Sequence, residues 1–225
     1  MHQPYSVIIP AYNAAETIAD AIESVLQQTL KPDRIIVVDD GSTDDTSNLA
    51  QRCGSTVVVI GQANGGGSAA TNRGIGAVET PLLACLDADD IWLPEKIARQ
   101  AARLAEEVHL DGVFAQVRLF HHGRPVDPVA PARDHWGRTT MLIRTTSARR
   151  IGPLVDPPGS GGRGDMVDWI SRGRDLGLQF EMLSEVLALR RIMPGSMSHG
   201  FDKRDIGYLL AVKAALDRRR PSGNE

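Results

Sequence analysis

Aromatic side chains are scarce in this chain of 225 residues: three tryptophans, three tyrosines and four phenylalanines, 4% of the total. With so few rings, backbone turns rather than ring stacking are expected to dominate any binding site. Cysteine is nearly absent too. Cys53 and Cys85 lie in different segments, which excludes a disulfide framework and a CxxC metal or redox pair, and a reducing, cytoplasmic setting is the expectation. No basic surplus exists, since 25 Lys and Arg stand against 28 Asp and Glu for a net charge of -3. A nucleic-acid partner needs a clearly basic face, so small partners are expected instead. Long apolar runs are also missing. No stretch approaches the ~18 consecutive apolar residues of a membrane span, and the opening MHQPYSVIIP lacks a basic leader, so neither a span nor an export signal is expected. What remains is 42% apolar and 24% charged residues with 22 glycines, the composition of a chain that folds as one large domain or two small ones.

Short β-branched runs alternate with helical-period segments over the first ninety or so residues. Ser6 to Pro10, Arg34 to Asp39, Thr56 to Ile60 and Leu82 to Leu86 are predicted as strands, nearly all apolar, as strands are when helices cover both sheet faces. Between them a helix capped by Asn13 carries Ile18, Ile22, Val25 and Leu26 on one stripe; Ser42 or Thr43 caps a second helix, and Ser68 starts a third. Further on, Lys96 to Glu107 follow Pro94 as a helix, Gly112 to Phe120 read as a strand, and Gly123 to Gly137 and Pro157 to Gly164 read as loops. Strands at Thr140 to Arg144 and Val186 to Ile192, and helices at Asp165 to Leu176 and Lys203 to Arg219, complete the pattern. The βαβαβαβ start predicts a parallel, doubly wound sheet whose ligands sit at the carboxyl ends of the strands.

Those strand ends deliver acids: Asp39-Asp40-Gly41-Ser42 after the second and Asp87-Ala88-Asp89-Asp90 after the fourth, beside Pro10-Ala11-Tyr12-Asn13 after the first. Five carboxylates in one crevice raise one another's pKa unless cations or donors compensate. Oxygen ligands without paired His or Cys favour a hard cation, Mg²⁺ or Mn²⁺, and Mg²⁺ is usually shared between one or two carboxylates and substrate phosphates. A phosphorylated substrate is the corresponding expectation. Taken singly, acidic pairs at turns are more often solvated caps; their coincidence at strand ends is what points to a site.

Four motifs then recur in order: SVIIPAYN at Ser6, IIVVDDGSTD at Ile35, Asn64-Gly65-Gly66 leading to Asn72-Arg73-Gly74-Ile75, and LDADD at Leu86 with Pro94 beyond. Over about the first hundred residues the chain thereby resembles family 2 glycosyltransferases. The resemblance implies a three-layer α/β/α GT-A (Rossmann-like) fold with a mixed, mainly parallel sheet. It implies a donor-binding set of Pro10, Ala11, Tyr12, Asn13, Asp39, Asp40, Asn72, Asp87, Ala88 and Asp89, with Asp89 as the metal-binding end of a DxD motif. Residues 1–91 would form the donor half, 92–200 the acceptor half of the same domain, and 201–225 a terminal helix and tail.

The resemblance also implies a carboxylate base in Gly164-Asp165-Met166-Val167-Asp168-Trp169-Ile170-Ser171-Arg172, where the family pattern is Glu-Asp-x-Asp before an apolar pair and an Arg. Anchored on Trp169 and Arg172, Asp165 falls at the family's Glu and Met166 at the base position. Asp165 serves as base through a one-residue slip, or Asp168 does, or the acceptor needs little help; Asp165 can equally be a carboxylate favouring a helix N-terminus. Two further departures are Met193, where His is common, and Thr71, in place of an Arg near the diphosphate, with Arg73, Arg190 or Arg191 as compensators and His199 as a substitute imidazole. Gly65 to Ala70 matches GxGxxA but lies in the wrong crossover for a dinucleotide fingerprint. No GxSxG elbow exists, and SMSHG at Ser196 lacks the first glycine. His121-His122 reads as an exposed turn, and Arg218 to Arg220 as a solvated terminus.

The expectation is therefore a metal-dependent, inverting transferase that moves a sugar from a nucleotide-diphosphate donor, a UDP-sugar first among them, to an acceptor hydroxyl. The competing reading is a nucleotide-sugar-binding protein that has lost turnover, on account of Met166, Met193 and Thr71. A sugar-phosphate nucleotidyltransferase lacks support, because no Gly-x-Gly-x-Arg loop follows the first strand.

Overall fold

The computed structural model describes residues 3–156, 164–193 and 207–219. Strands β1 (Tyr5–Ala11), β2 (Arg34–Asp39), β3 (Val57–Gly61) and β4 (Leu82–Cys85) alternate with helices α1 (Ile18–Leu26), α2 (Thr46–Arg52) and α3 (Gly67–Ala77). The second half adds β5 (Ile91–Trp92), α4 (Lys96–Glu106), β6 (Gly112–His121), β7 (Ala132–His135), a 3₁₀ turn at Arg138–Thr140, β8 (Leu142–Arg144), α5 (Thr145–Ile151), α6 (Asp165–Asp175), β9 (Phe180–Ile192) and α7 (Gly207–Arg219). No helix among the described residues is long and apolar enough to cross a membrane.

One sheet runs through both halves in the order β3-β2-β1-β4-β8-β6-β9-β5, with β7 on β6. The first four strands pair in parallel; β8 is antiparallel to β4 and β6, while β6 and β9 run parallel. This is the expected mixed α/β sandwich. Alternation along each strand feeds two cores. Val7, Ile9, Ile35, Val37, Leu82 and Ala84 face α1, α2 and α4, while Ile8, Ile36, Val38, Leu83 and Cys85 face α3, α5 and α6. Parallel strands buried on both faces place their carboxyl ends together, so Ala11 lies beside Asp39 at one rim.

Several local expectations are corrected. Asn13 does not cap α1, which begins at Ile18, and α2 begins at Thr46, beyond Ser42 and Thr43. These polar side chains are bonded to one another instead, loop to loop. The segment Gly123 to Gly137 is not all loop: Ala132–His135 is recruited as β7 by edge pairing with β6. Strand β9 starts at Phe180, six residues before the expected Val186, because a bulge leaves Ser184 and Glu185 unpaired and exposed and breaks the period-2 pattern. The expected loop over 157–163 and residues 194–206, with Ser196, His199 and Lys203, lie outside the described residues, as does Arg220.

The approach of α3 to β1 depends on one missing side chain. A Cβ at Gly74 would lie 2.4 Å from Cγ2 of Ile8. Gly74→Ala is expected to destabilise the fold by about 1–3 kcal/mol through overpacking, seen as a lower urea midpoint; an unchanged midpoint would show that α3 shifts freely on the sheet.

Candidate active site

The loop after β1 is laced to the loop after β2. Asn13 adopts the left-handed conformation (φ 47°), unusual for a side-chain-bearing residue. Its amide donates to Ser42 Oγ at 2.9 Å and its Oδ1 accepts from the Thr43 amide at 2.8 Å. Ala14 donates to Thr46 Oγ1 at 2.8 Å and Ala15 to Asp44 Oδ2 at 3.0 Å. Tyr12, 52% exposed, stands on this double loop as a free ring. Asp39 is engaged below it by the Ser42 amide at 2.9 Å and by the Ser47 hydroxyl, which hold its carboxyl below the usual range although burial pushes the other way. Asp40 is buried and accepts from Gln62 Nε2 at 2.8 Å, the Gly65 amide at 2.9 Å and the Gly66 amide at 2.8 Å. Its carboxylate therefore ties the β2 end to the glycine turn that opens α3.

The acidic loop after β4 is held by the Arg138–Thr140 turn and by β9. Asp90 accepts from Thr139 Oγ1 at 2.5 Å and from the Arg191 amide at 2.8 Å. The buried Arg191 guanidinium reaches the Asp89 carbonyl at 2.8 Å, Asp20 at 2.9 Å and His122 Nδ1 at 3.0 Å, so that ring nitrogen is an acceptor. Asp89 itself presents a half-buried carboxylate that no side chain among the described residues pairs with. Burial, and then the charge of Asp87, push it up to about 6. Asp90 is pushed well above the ordinary range by burial and by Asp89 and Asp87. Asp87 goes the other way: burial would raise it, but the Arg138 guanidinium, 3.1 Å from Oδ1, holds it below the usual value.

Arg138 also bonds Asp165, at the first turn of α6. Ser68 Oγ lies 2.9 Å from the same Asp165 oxygen and 2.7 Å from Asp156 Oδ1. The structure thus brings Asp165 to the rim that holds Asp87 and the α3 N-terminus. Asp168 is placed elsewhere, clamped by Arg172 at 2.9 Å and Arg218 at 2.6 Å between α6 and α7. Met166 is buried in the core with Trp169 and Ile170, so the position aligned with the family's base points into packing. The Asn72 amide is turned to Leu154, bonding both its N–H and its C=O at 2.8 Å. Ala88 is buried under the acidic loop. The Thr71 hydroxyl folds back on the Gly67 carbonyl at 2.7 Å; of the expected compensators, Arg73 is exposed, Arg191 is fully committed, and Arg190 adds its charge at Asp87 and His135. Arg138, Thr139, Gln62 and Asp156 were not legible. They lie 22 to 88 residues from the site residues they bond and carry no periodic signal.

The fold and the site have counterparts in known proteins. The family described as "Glycosyl transferase family 2" matches residues 6–159, and the chain belongs to it. An uncharacterized glycosyltransferase, RP339, of Rickettsia prowazekii is 41% identical over 95 residues, covering 42% of this chain and 30% of that protein. The amylovoran biosynthesis glycosyltransferase AmsB of Erwinia amylovora is 28% identical over 241 residues, covering 96% of this chain and 79% of that protein. In fold, a crystal structure of S. aureus TarS 1-349 in complex with UDP-GlcNAc superposes with TM-score 0.73 at 19% identity, over 99% of this chain and 68% of that one. The chain matches less than a third of the length of the Rickettsia and Nostoc relatives.

His135 gives a pH signature. Burial, and then the charge of Arg190, push it down to about 4. Between pH 6.5 and 4 the unfolded chain takes up a proton there that the folded protein refuses, so this contribution to stability is lost as pH falls. Asp89 acts oppositely, since its raised pKa favours the folded form as pH drops from 6. The difference between wild type and His135→Asn separates the two: relative to wild type, the variant's metal-free urea midpoint is expected to climb steadily from pH 6.5 to 4. A difference independent of pH would contradict this.

Proposed function

We propose that the protein is a metal-dependent, inverting glycosyltransferase that uses a nucleotide-diphosphate sugar, a UDP-sugar first, and passes the sugar to an acceptor hydroxyl. The observation that carries this is the rim where Tyr12, the acidic loop Asp87 to Asp90, the α3 N-terminus and Asp165 converge, in a chain of glycosyl transferase family 2. A fold neighbour solved with UDP-GlcNAc supports the donor class.

The residues fit a hard divalent cation. Asp89 has no side-chain partner among the described residues, and burial and a neighbouring acid raise its pKa, which is the electrostatic need a cation answers. Among the described residues no three ligating side chains converge, so Asp89 would hold Mg²⁺ or Mn²⁺ together with donor phosphates and water. Such a cation would supply positive charge to the diphosphate leaving group. The remaining steps fall to the chain. The β1 and β2 loops, with Pro10, Ala11, Tyr12, Asn13, Asp39 and Asp40, form the wall for the base and nucleoside, Tyr12 offering its ring. Asp87 and Ala88 floor the nucleoside side, while Asn72 supports the wall indirectly by holding Leu154. Asp165 takes the acceptor's proton. The acceptor oxygen bonds the anomeric carbon, the bond from that carbon to the diphosphate oxygen breaks, and its electron pair goes to the diphosphate. Asp168, spent on two arginines, is the weaker choice of base.

A second reading has its own observation, Met166 packed in the core where the family places a base: a nucleotide-sugar-binding protein without turnover. Purified protein with Mn²⁺ and UDP-, GDP- and dTDP-sugars decides between them. Release of the donor's nucleoside diphosphate above background supports transfer or its hydrolytic shadow; binding without release from any donor, with any acceptor tried, supports the second reading. Asp89→Asn is expected to weaken Mn²⁺-dependent UDP binding by roughly tenfold or more by calorimetry. Asp165→Asn should leave that binding within about threefold and lower kcat by roughly 10²–10⁴; full transfer by this variant would remove Asp165 from the reaction.

A further inference from the structure

We infer that Arg138 is the positioning residue that joins the two halves of the site, bonding Asp87 while it sets which oxygen of Asp165 is presented to the acceptor. The inference rests on the glycosyltransferase reading above. One guanidinium serves three elements. Its Nε donates to Asp87 Oδ1 at 3.1 Å, its Nη1 bonds Asp165 Oδ2, and its Nη2 lies against Gly67 at the start of α3, 3.6 Å from where a Cβ would stand. The Arg138 and Asp165 side chains are 14% and 8% exposed, so the pair is shielded from water and its geometry is well determined.

The orientation of Asp165 follows from its bonding. Both Arg138 and Ser68 engage Oδ2, leaving Oδ1 as the oxygen without a partner among the described residues. A proton acceptor with one oxygen anchored and one open has its direction set in advance, which is the condition for efficient transfer within hydrogen-bond reach.

The backbone that carries Arg138 is itself locked from beneath. Trp92 Nε1 donates to the Thr139 carbonyl at 2.7 Å and Gln100 Nε2 to the Thr140 carbonyl at 2.7 Å, while the Thr139 hydroxyl bonds Asp90. Gln100 is in turn fixed by the buried Lys96 at 2.8 Å, whose Nζ lies 4.0 Å over the Trp92 ring. Core residues of α4 and β5 thus fix a turn whose first side chain reaches both site carboxylates. Arg138 acts through Asp165, whose carboxylate it orients.

The test is a double-mutant cycle read by UDP release from UDP-GlcNAc with Mn²⁺, alongside UDP–Mn²⁺ calorimetry. Arg138→Gln is expected to lower kcat roughly 10²-fold while UDP affinity moves less than about threefold. Arg138→Lys should recover part of the loss, and it keeps the question open to measurement if the Gln variant folds poorly. Arg138→Gln with Asp165→Asn should be no slower than Asp165→Asn alone, since the arginine acts through the acid. Multiplicative losses in the double variant, parallel losses of affinity and kcat, or wild-type kcat in Arg138→Gln would each overturn the inference while leaving the transferase reading intact. A wild-type protein that binds UDP but releases none from any donor would overturn both.

Discussion

Like charges gathered at one rim are the constraint on which this structure depends. A parallel sheet with the β1, β2 and β4 carboxyl ends together places Asp39, Asp40, Asp87, Asp89 and Asp90 in a small, partly dry volume, where Coulomb repulsion and desolvation both oppose ionisation. Each acid meets a different remedy. Asp40 uses two glycine amides and Gln62, Asp39 two serines, Asp87 an arginine, and Asp90 a threonine hydroxyl and a strand amide, with burial raising its pKa. Among the described residues, only Asp89 of the five is left without a side-chain or distant backbone partner. The fold settles four acids internally and leaves the fifth to whatever binds.

Scarce aromatics are spent with the same economy. Trp92 and Trp169 are both buried, and each donates its indole N–H to a carbonyl that would otherwise be unsatisfied, those of Thr139 and Gly152. They act as brackets for turns rather than as platforms for ligands. Tyr12 alone of the rings in the donor loops is open to solvent. Glycines do the complementary work: Gly65 and Gly66 present bare amides to Asp40, and Gly137 passes so close to His135 that a Cβ would lie 2.2 Å from Nε2, bringing the chain to Arg138.

What could be read from the residues alone divides along physical lines. Strands β1 to β4 are legible because a strand buried on both faces must be almost wholly apolar, and the acids at their ends then follow from topology. The Met166 departure was also visible, and its burial beside Trp169 gives the reason in packing terms. Illegible were β5, β7 and the Arg138–Thr140 turn, segments too short or too polar for periodicity, which exist only because β9, β6, Trp92 and Gln100 hold them. Asp168 and Asn72 show the opposite limit. Their chemistry suits a site, yet two arginines and the Leu154 backbone claim them, partners that only the tertiary structure supplies.

The bond from the Arg191 amide to Asp90 spans 101 residues, and the same arginine holds the Asp89 carbonyl. During synthesis the first four strands can pair as soon as they emerge, but the loop that follows β4 stays open until β9 has been made and has docked. The nascent chain carries its most acidic loop unfinished over the 101 residues between Asp90 and Arg191. The acidic loop therefore takes its final shape only once β9 has docked on the sheet.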